Sequence, residues 1–208
     1  DTLVMGPQKS WLIQNGYLVP SVVVNPGKPE LKGVRTQRGD YKERDIEAVM
    51  DKPTIYGDVI REWRKWADGK LTAAFCTTVD HAKHTADVFN SHGIPAVSMD
   101  GKMKPAERAE CLRKWETGEY QVVASCNLFS EGFDLPAIEC VLCLRPTKSL
   151  CLWIQMCGRG SRLAVGKSRC IILDHAGNVW THGHPDWDRE WELTDDRKKT
   201  PVPVLSSC

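Results

Sequence analysis

The chain has 208 residues, 26% of them charged, and a formal net charge of +1. This length suits one domain with a sizeable core plus extensions, and the near-neutral charge means that any nucleic-acid or membrane surface must be local. The longest apolar runs fall far short of the roughly 18 residues of a membrane span, and the first ten residues lack a secretory signal pattern. Composition therefore predicts a soluble, cytoplasmic protein without a membrane partner.

The first third of the chain carries weak signals. Residues 20–40 hold one short apolar run followed by Pro, Gly and charged residues, which indicates a strand-like lead-in and a loop. A helix is predicted over residues 54–67, where Ile55, Val59, Trp63 and Trp66 recur at spacings of three or four.

From Leu71 onward, short apolar runs alternate with amphipathic ones, which is the pattern of βαβ units and a parallel sheet. We predict strands at 71–78, 94–99, 120–126, 137–144 and 169–174, and helices at 80–93, 104–118 and 149–158. The segment from His175 onward is rich in Trp, His, acidic residues and Pro without periodicity. The predicted fold class is therefore α/β, an open parallel sheet flanked by helices, with an irregular C-terminal tail.

The cysteines and histidines have ordinary explanations. Nine cysteines show no framework spacing, and most stand among apolar residues, which predicts small buried side chains in a reducing compartment: Cys76, Cys126, Cys140, Cys143, Cys151, Cys157 and Cys170. Cys140 and Cys143 form a C-x-x-C, but residues three apart in a strand point to opposite faces, so we predict core packing and no metal site. His81 and His84 are expected to be surface or capping residues.

The stretch QMCGRGSR, residues 155–162, places two arginines three residues apart at the end of a predicted helix. Arginine suits bidentate contact with phosphate, and Gly158 would let a ligand approach the backbone. Residues 140–173 add to the local positive charge, since they contain six Arg and Lys residues and no Asp or Glu. Ligands of open α/β sheets bind beyond the carboxyl ends of the strands, and we expect three segments there: 127–136, 145–149 and 155–162.

These segments resemble the motifs of superfamily 2 helicases and translocases. QMCGRGSR is similar to the sixth motif of that family and SEGFDLP, residues 130–136, to the fifth. FCTTVDHA (75–82) resembles the fourth motif, and DGKMKPAER (100–108) the segment after it. The resemblance runs in order from Leu71 to Asp174, and RPTKSLCLWIQMCGRGSR with IILDHAGNV points to a bacterial and phage branch related to repair helicases and restriction-enzyme motor subunits. It implies the RecA-like fold of the second helicase lobe.

The resemblance also implies roles for single residues. Arg159 and Arg162 would be arginine fingers that reach the γ-phosphate of ATP with Mg²⁺. The nucleotide-binding and interlobe residues would be Gln155, Gly132, Asp134, Glu131 and Gly158. The residues that contact nucleic acid, with DNA favoured over RNA, would be Arg108, Thr77 and Lys148. Cys126 stands where many relatives have a fifth-motif threonine.

The first lobe of such a motor should supply a phosphate-binding loop G-x-x-x-x-G-K-[ST], which this sequence lacks. We therefore expect the N-terminal RecA-like lobe, on the same or another chain, to be the main partner, and no independent ATPase activity. The expected organisation is an interlobe crossing segment and loop at 1–40, the RecA-like lobe at 41–175, and an irregular tail or connector at 176–208. Cys208 could begin a downstream zinc module.

Two other functions stay open at this stage. A non-catalytic module that binds nucleic acid or protein could be built on a degenerate motor lobe, and the fold alone does not separate the two. A stand-alone phosphate-ester hydrolase has little support, because the sequence shows no cluster of metal-binding carboxylates.

Overall fold

The computed structural model describes residues 4–126 and 137–191. Its strands are β1 Ser21–Val24, β2 Thr36–Gln37, β3 Asp40–Tyr41, β4 Thr72–Phe75, β5 Ala96–Ser98, β6 Val122–Ser125, β7 Cys140–Cys143 and β8 Cys170–Asp174. Its helices are α1 Lys9–Gln14, α2 Glu43–Met50, α3 Pro53–Ala67, α4 Val79–Ser91, α5 Pro105–Glu116, α6 Leu150–Gly160 and α7 Asn178–His182. Six strands form one sheet in the order β1-β8-β7-β4-β6-β5, and every pairing in it is parallel.

The sheet has a hydrophobic core on each face, as a parallel sheet covered by helices requires. Trp63 of α3 and Phe89 of α4 pack in one core, and Trp115 of α5 and Trp153 of α6 in the other. Cys140 and Cys143 lie in different cores, so the prediction that they point to opposite faces is confirmed.

The predicted α/β fold is confirmed: five predicted strands and four predicted helices are present with bounds within a few residues. Two side chains of the predicted helices are more exposed than the apolar pattern predicts. Trp66 is 39% exposed, because it lies at the edge of the buried stripe of α3, where its indole N–H donates to Glu62. Cys151 is exposed in the first turn of α6, on the side away from the sheet.

The N-terminal segment and the segment after β8 are packed against each other and against the sheet. β1 pairs with β8 in parallel register. The carboxylate of Asp186 accepts hydrogen bonds from the backbone N–H and hydroxyl of Ser21, at 2.6 and 2.8 Å, and lies 2.8 Å from the ammonium of Lys9. Asp188 accepts two more hydrogen bonds from Ser10. The edge strand is therefore held by side chains that are more than 160 residues away in sequence.

Residues 33–50, expected to begin as a loop, contain a β-hairpin and a helix. β2 and β3 pair antiparallel around the two-residue turn Arg38-Gly39, in which both residues have positive φ angles, 51° and 85°. This is the backbone of a type I′ turn, which favours Asn-Gly, and an L-residue other than Asn, Asp or Gly pays roughly 1–2 kcal/mol there. The sequence signal was weak because the strands have only two residues each and the turn lacks the usual Asn.

In the described part of the chain, no helix is long and apolar enough to cross a membrane.

Candidate functional site

Helix α6 has one buried and one outward face. Its buried residues are Trp153, Met156, Cys157 and Gly160, which recur at the spacing of one helical stripe. Gln155, Gly158 and Arg159 recur at the same spacing on the other side, and Arg162 follows two residues after the helix ends at Gly160. None of these four is fully buried. One predicted arginine finger, the motif glutamine and the motif glycine therefore share the surface that α6 turns away from the sheet, and the second finger lies just beyond the end of the helix.

The backbone at the end of α6 is held by three contacts. Ser161, the C-terminal cap, is buried, and its hydroxyl donates to the carbonyl of Cys157 at 3.2 Å. The backbone N–H of Val19 donates to the carbonyl of Ser161 at 2.9 Å, and the ammonium of Lys167 donates to the carbonyl of Arg162 at 2.8 Å. The segment that leads into β1 thus helps to fix where Arg162 leaves the helix.

The end of α6 does not lie beyond the carboxyl ends of the strands, and this corrects the expectation from the sequence. In a parallel β-α-β unit the helix runs antiparallel to the strands, so α6 starts at the carboxyl end of β7 and ends at the opposite edge. Val19 precedes β1, and Cys170, the first residue of β8, touches the site of Gly160. Arg159 and Arg162 therefore lie at the amino-end edge of the sheet, whereas segment 145–149 lies at the carboxyl-end edge as predicted.

A pocket of about 340 Å³ borders the outward face of α6. Gly158 and Arg162 line it on one side, Lys9 and Leu12 of α1 on another, and Trp187 closes it from the segment after β8. The pocket is lined by both apolar and cationic side chains, and the ammonium of Lys9 is paired with Asp186 at 2.8 Å. Sequence reasoning missed the contributions from α1 and from residues 185–191, because nothing in the local pattern places them beside α6.

The predicted nucleic-acid residues lie at the carboxyl-end edge. Thr77 follows β4, Arg108 is in the first turn of α5 after β5, and Lys148 is in the loop between β7 and α6. The guanidinium of Arg108 donates to the carbonyl of Asp100 at 3.0 Å. The ammonium of Lys148 lies 4.8 Å from the ring centroid of Tyr41 in β3. With neighbouring strands about 4.8 Å apart, the step from β5 to β7 spans roughly 14 Å along this edge.

Thr77 is buried inside the protein at this edge of the sheet and is not on its surface. Its side chain is buried, and its hydroxyl lies 2.8 Å from Nδ1 of His81, which itself is 0% exposed. The next residue, Thr78, caps α4 and donates its hydroxyl to Glu47 of α2 at 2.7 Å. The expectation that His81 is a surface or capping histidine is wrong, because the first turn of α4 packs directly on the core. His84, in contrast, is exposed and contacts Asp51.

Acid should destabilise the fold through its buried histidines. Burial lowers the pKa of His81 to about 4, and burial does the same to His175, whereas the ordinary value is 6.5. The folded protein thus binds fewer protons than the unfolded chain between those pH values. Stability is full above about pH 6.5 and falls as the pH approaches 4, by on the order of 3 kcal/mol per histidine.

Urea unfolding of the chain and of a His81→Asn variant over this pH range tests the prediction. The asparagine keeps a polar atom near Thr77 but cannot titrate in this range. We expect a shallower pH dependence in the variant, whatever its stability at neutral pH. Equal pH slopes would contradict the assignment to His81.

Three of the predicted residues, Glu131, Gly132 and Asp134, lie outside the described residues. Cys126, just before them, is buried, and its carbonyl accepts a hydrogen bond from Arg145 at 3.3 Å. Within residues 4–126 and 137–191, no group of three or more His, Cys, Asp or Glu side chains could hold a metal ion.

Known proteins are similar to this chain in sequence and in fold. Residues 52–164 match the helicase conserved C-terminal domain. The chain is 33% identical over 192 residues to a 51.5 kDa protein of a Lactococcus phage, covering 92% of this chain and 42% of that protein. It is 32% identical over 167 residues to UvrABC system protein B of Chlorobium limicola, covering 72% of this chain and 24% of that protein. The chain thus spans less than half the length of either relative.

A solved structure shows the same fold. A fragment assigned to the HsdR subunit of a type I restriction enzyme from Vibrio vulnificus superimposes with a TM-score of 0.64 at 20% identity, over 84% of this chain and 35% of that one. The sequence match covers more than half of this chain and includes α6 with both arginines. The chain belongs to the helicase conserved C-terminal domain family, and its parallel sheet has the RecA-like fold.

Proposed function

We propose that this chain is the C-terminal motor lobe of an ATP-dependent helicase or translocase that acts on nucleic acid, with DNA favoured. In this proposal ATP and Mg²⁺ are held mainly by an N-terminal RecA-like lobe, and Arg159 and Arg162 reach the γ-phosphate from this lobe. The guanidinium groups would stabilise the negative charge that spreads over the transferred phosphoryl oxygens.

The observation that carries the proposal is the outward face of α6. Gln155, Gly158 and Arg159 occupy one stripe, Arg162 follows just after the end of the helix, and the opposite stripe is buried against the sheet. A face made only for solubility would not need its last turn secured by Ser161, Val19 and Lys167. Such fixed backbone favours a role in which the guanidinium groups are preorganised before the ligand arrives.

Helix α6 offers a physical link between the nucleic acid and the ATP of this proposal. Its N-terminal cap, Ser149, follows Lys148 at the carboxyl-end edge, and its last turn carries Arg159 at the amino-end edge, with Arg162 two residues beyond the end of the helix. At 1.5 Å per residue, the helix spans about 16 Å. A shift of the loop at Lys148 on nucleic acid would therefore move Arg159 with the helix and would also displace the segment that carries Arg162. Gln155, halfway along the outward face, is suited to contact the facing lobe.

The nucleic-acid side of the proposal uses Arg108 and Lys148 as phosphate contacts. Both are cations at the carboxyl-end edge of the sheet: Arg108 lies in the first turn of α5, and Lys148 lies in the loop just before α6. Thr77 contributes beneath them, where its hydroxyl holds His81 and the start of α4. The motif residues Glu131, Gly132 and Asp134 are assigned to nucleotide and interlobe contacts by resemblance alone.

ATP hydrolysis tests the proposal directly. Turnover should be absent for the 208-residue chain and present when the chain is joined to its N-terminal RecA-like lobe, whether that lobe comes from the same or another chain, and it should rise when duplex DNA is added. The same assay with RNA in place of DNA shows which of the two nucleic acids raises the rate of ATP hydrolysis. A joined protein that binds nucleic acid but hydrolyses no ATP under any of these conditions would overturn the motor proposal in favour of a non-catalytic binding module.

A further inference from the structure

The β2–β3 hairpin presents an arginine in a backbone conformation that arginine disfavours. Arg38 has a φ angle of 51°, the only positive φ of a non-glycine residue in the described part of the chain. The side chain is exposed and makes no hydrogen bond or ion pair with any described residue. Asparagine or glycine would form the same turn more readily. A disfavoured residue that makes no contact within its own fold is a reason to look for a ligand.

The hairpin is fixed on the loop that carries Lys148. Asp40 accepts a hydrogen bond from the hydroxyl of Thr147 at 2.6 Å and another from the backbone N–H of Lys148 at 2.7 Å. The ammonium of Lys148 donates to the hydroxyl of Thr36 at 2.5 Å and lies over the Tyr41 ring. These contacts hold both strands of the hairpin at the carboxyl-end edge of the sheet.

Four acidic side chains of α2 and its C-terminal cap are used within the lobe, whereas the exposed Glu30 makes no ion pair within the described residues. Asp45 pairs with Arg35, Glu43 with Arg145, Glu47 accepts from Thr78 and Asp51 contacts His84. The neighbouring cations Lys32 and Arg44 are exposed, and neither makes an ion pair within the described ranges. With the carboxylates of α2 engaged, Arg38 and Arg44 are exposed cations without an ion pair, while the charge of Lys32 is offset by Glu30 two residues before it.

We propose that the hairpin is an additional nucleic-acid contact, in which Arg38 at its tip binds a backbone phosphate and so extends the track of Arg108 and Lys148. The hairpin lies outside residues 52–164, the part that matches the helicase domain family. The inference rests on the proposed function, because it requires nucleic acid to lie along the carboxyl-end edge. Phosphate is the natural ligand, since exposed guanidinium and ammonium groups supply most of the sequence-independent affinity for nucleic acids.

The test is an Arg38→Asn variant of the 208-residue chain. Asparagine removes the charge and at the same time suits the turn, so the melting temperature should stay the same or rise. Fluorescence anisotropy with labelled single-stranded and duplex DNA should show affinity weakened about tenfold at low salt, and a slope of log affinity against log salt reduced by about one.

Two further variants complete the experiment. Lys65→Gln removes one exposed positive charge from the end of α3, at the opposite edge of the sheet, and should leave the affinity nearly unchanged. Arg108→Ala should weaken binding as the proposed track requires.

The outcomes separate the two proposals. If Arg108→Ala weakens binding and Arg38→Asn does not, the hairpin serves another purpose, such as a protein contact, and the track itself stands. Equal losses in Arg38→Asn and Lys65→Gln would show a general effect of net charge and overturn the inference. If the unmodified chain binds no nucleic acid, both the inference and the nucleic-acid part of the proposed function fail.

Discussion

Alanine at Arg162 should lower ATP turnover of the joined two-lobe protein by about a thousandfold or more, and alanine at Arg159 should have an effect of the same order. The reason is that a guanidinium aimed at the γ-phosphate acts on charge that develops only in the transition state, so its loss lowers kcat with little effect on ATP binding. Arg162→Lys should recover little activity, because an ammonium group cannot reproduce the planar, bidentate contact.

Arg169→Ala is the matched control for this experiment. Arg169 is an exposed arginine directly before β8, in the same cationic region, but it is not on the outward face of α6. The joined protein with Arg169→Ala should hydrolyse ATP at nearly the rate of the unmodified joined protein. DNA affinity of the chain should be similar in Arg159→Ala, Arg162→Ala, Arg162→Lys and Arg169→Ala. Unchanged affinity would show that the lobe is folded and that only the arginine finger is lost. Turnover that is indifferent to both Arg159→Ala and Arg162→Ala would contradict the assignment.

Alanine at Gly160 should destabilise the lobe, whereas alanine at Gly158, two residues earlier, should not. A methyl group at Gly160 would overlap Sγ of Cys170 and come within 2.9 Å of Cγ2 of Val141, both in the packed core. Inserting a carbon into such a core costs typically 1–3 kcal/mol and sometimes more. A methyl group at Gly158 meets nothing within 4 Å, so alanine there should stabilise the helix by roughly 0.5–1 kcal/mol.

Urea unfolding measures the difference in stability between Gly158→Ala and Gly160→Ala. A Cys170→Ala substitution in the Gly160→Ala background tests whether the sulfur causes the loss. Removing the sulfur should recover part of the lost stability, while the clash with Val141 stays. Because Gly160 lies between the two arginines, Gly160→Ala should also lower ATP turnover of the joined protein at temperatures where the lobe is folded. Equal stability of the Gly158 and Gly160 variants would show that α6 can move away from β8 without cost.

The sequence predicted the part of the fold that depends on local periodicity. Alternating apolar runs identified the strands that become β4 to β8, and the spacing of Trp153, Met156 and Cys157 follows from an amphipathic helix. The same periodicity places Gln155, Gly158 and Arg159 on one stripe, so the grouping of these three motif residues is a property of the helix alone. The opposite faces of Cys140 and Cys143 follow equally from the geometry of a strand.

Residues whose environment depends on distant segments could not be predicted. The hairpin is specified by Asp40 binding Thr147 and Lys148, more than 100 residues away, and its own strands are too short to leave a pattern. Asp186 secures Ser21 and Lys9 through contacts of the same kind. His81 seemed a surface residue because its neighbours are polar, yet the packing of α4 buries it beside Thr77.

By itself, then, the amino-acid sequence determined the order and type of the main elements, the stripe on α6 and the membership of a helicase family, because these depend on neighbours within a few residues or on motifs. Only the tertiary structure decided that the arginines lie at the amino-end edge, that Gly160 and not Gly158 is confined by the core, and that the hairpin that carries Arg38 docks on Lys148. The physical reason is that the direction of a crossover helix, the closeness of Cys170 to Gly160 and the docking of a short hairpin are set by contacts between residues far apart in the chain.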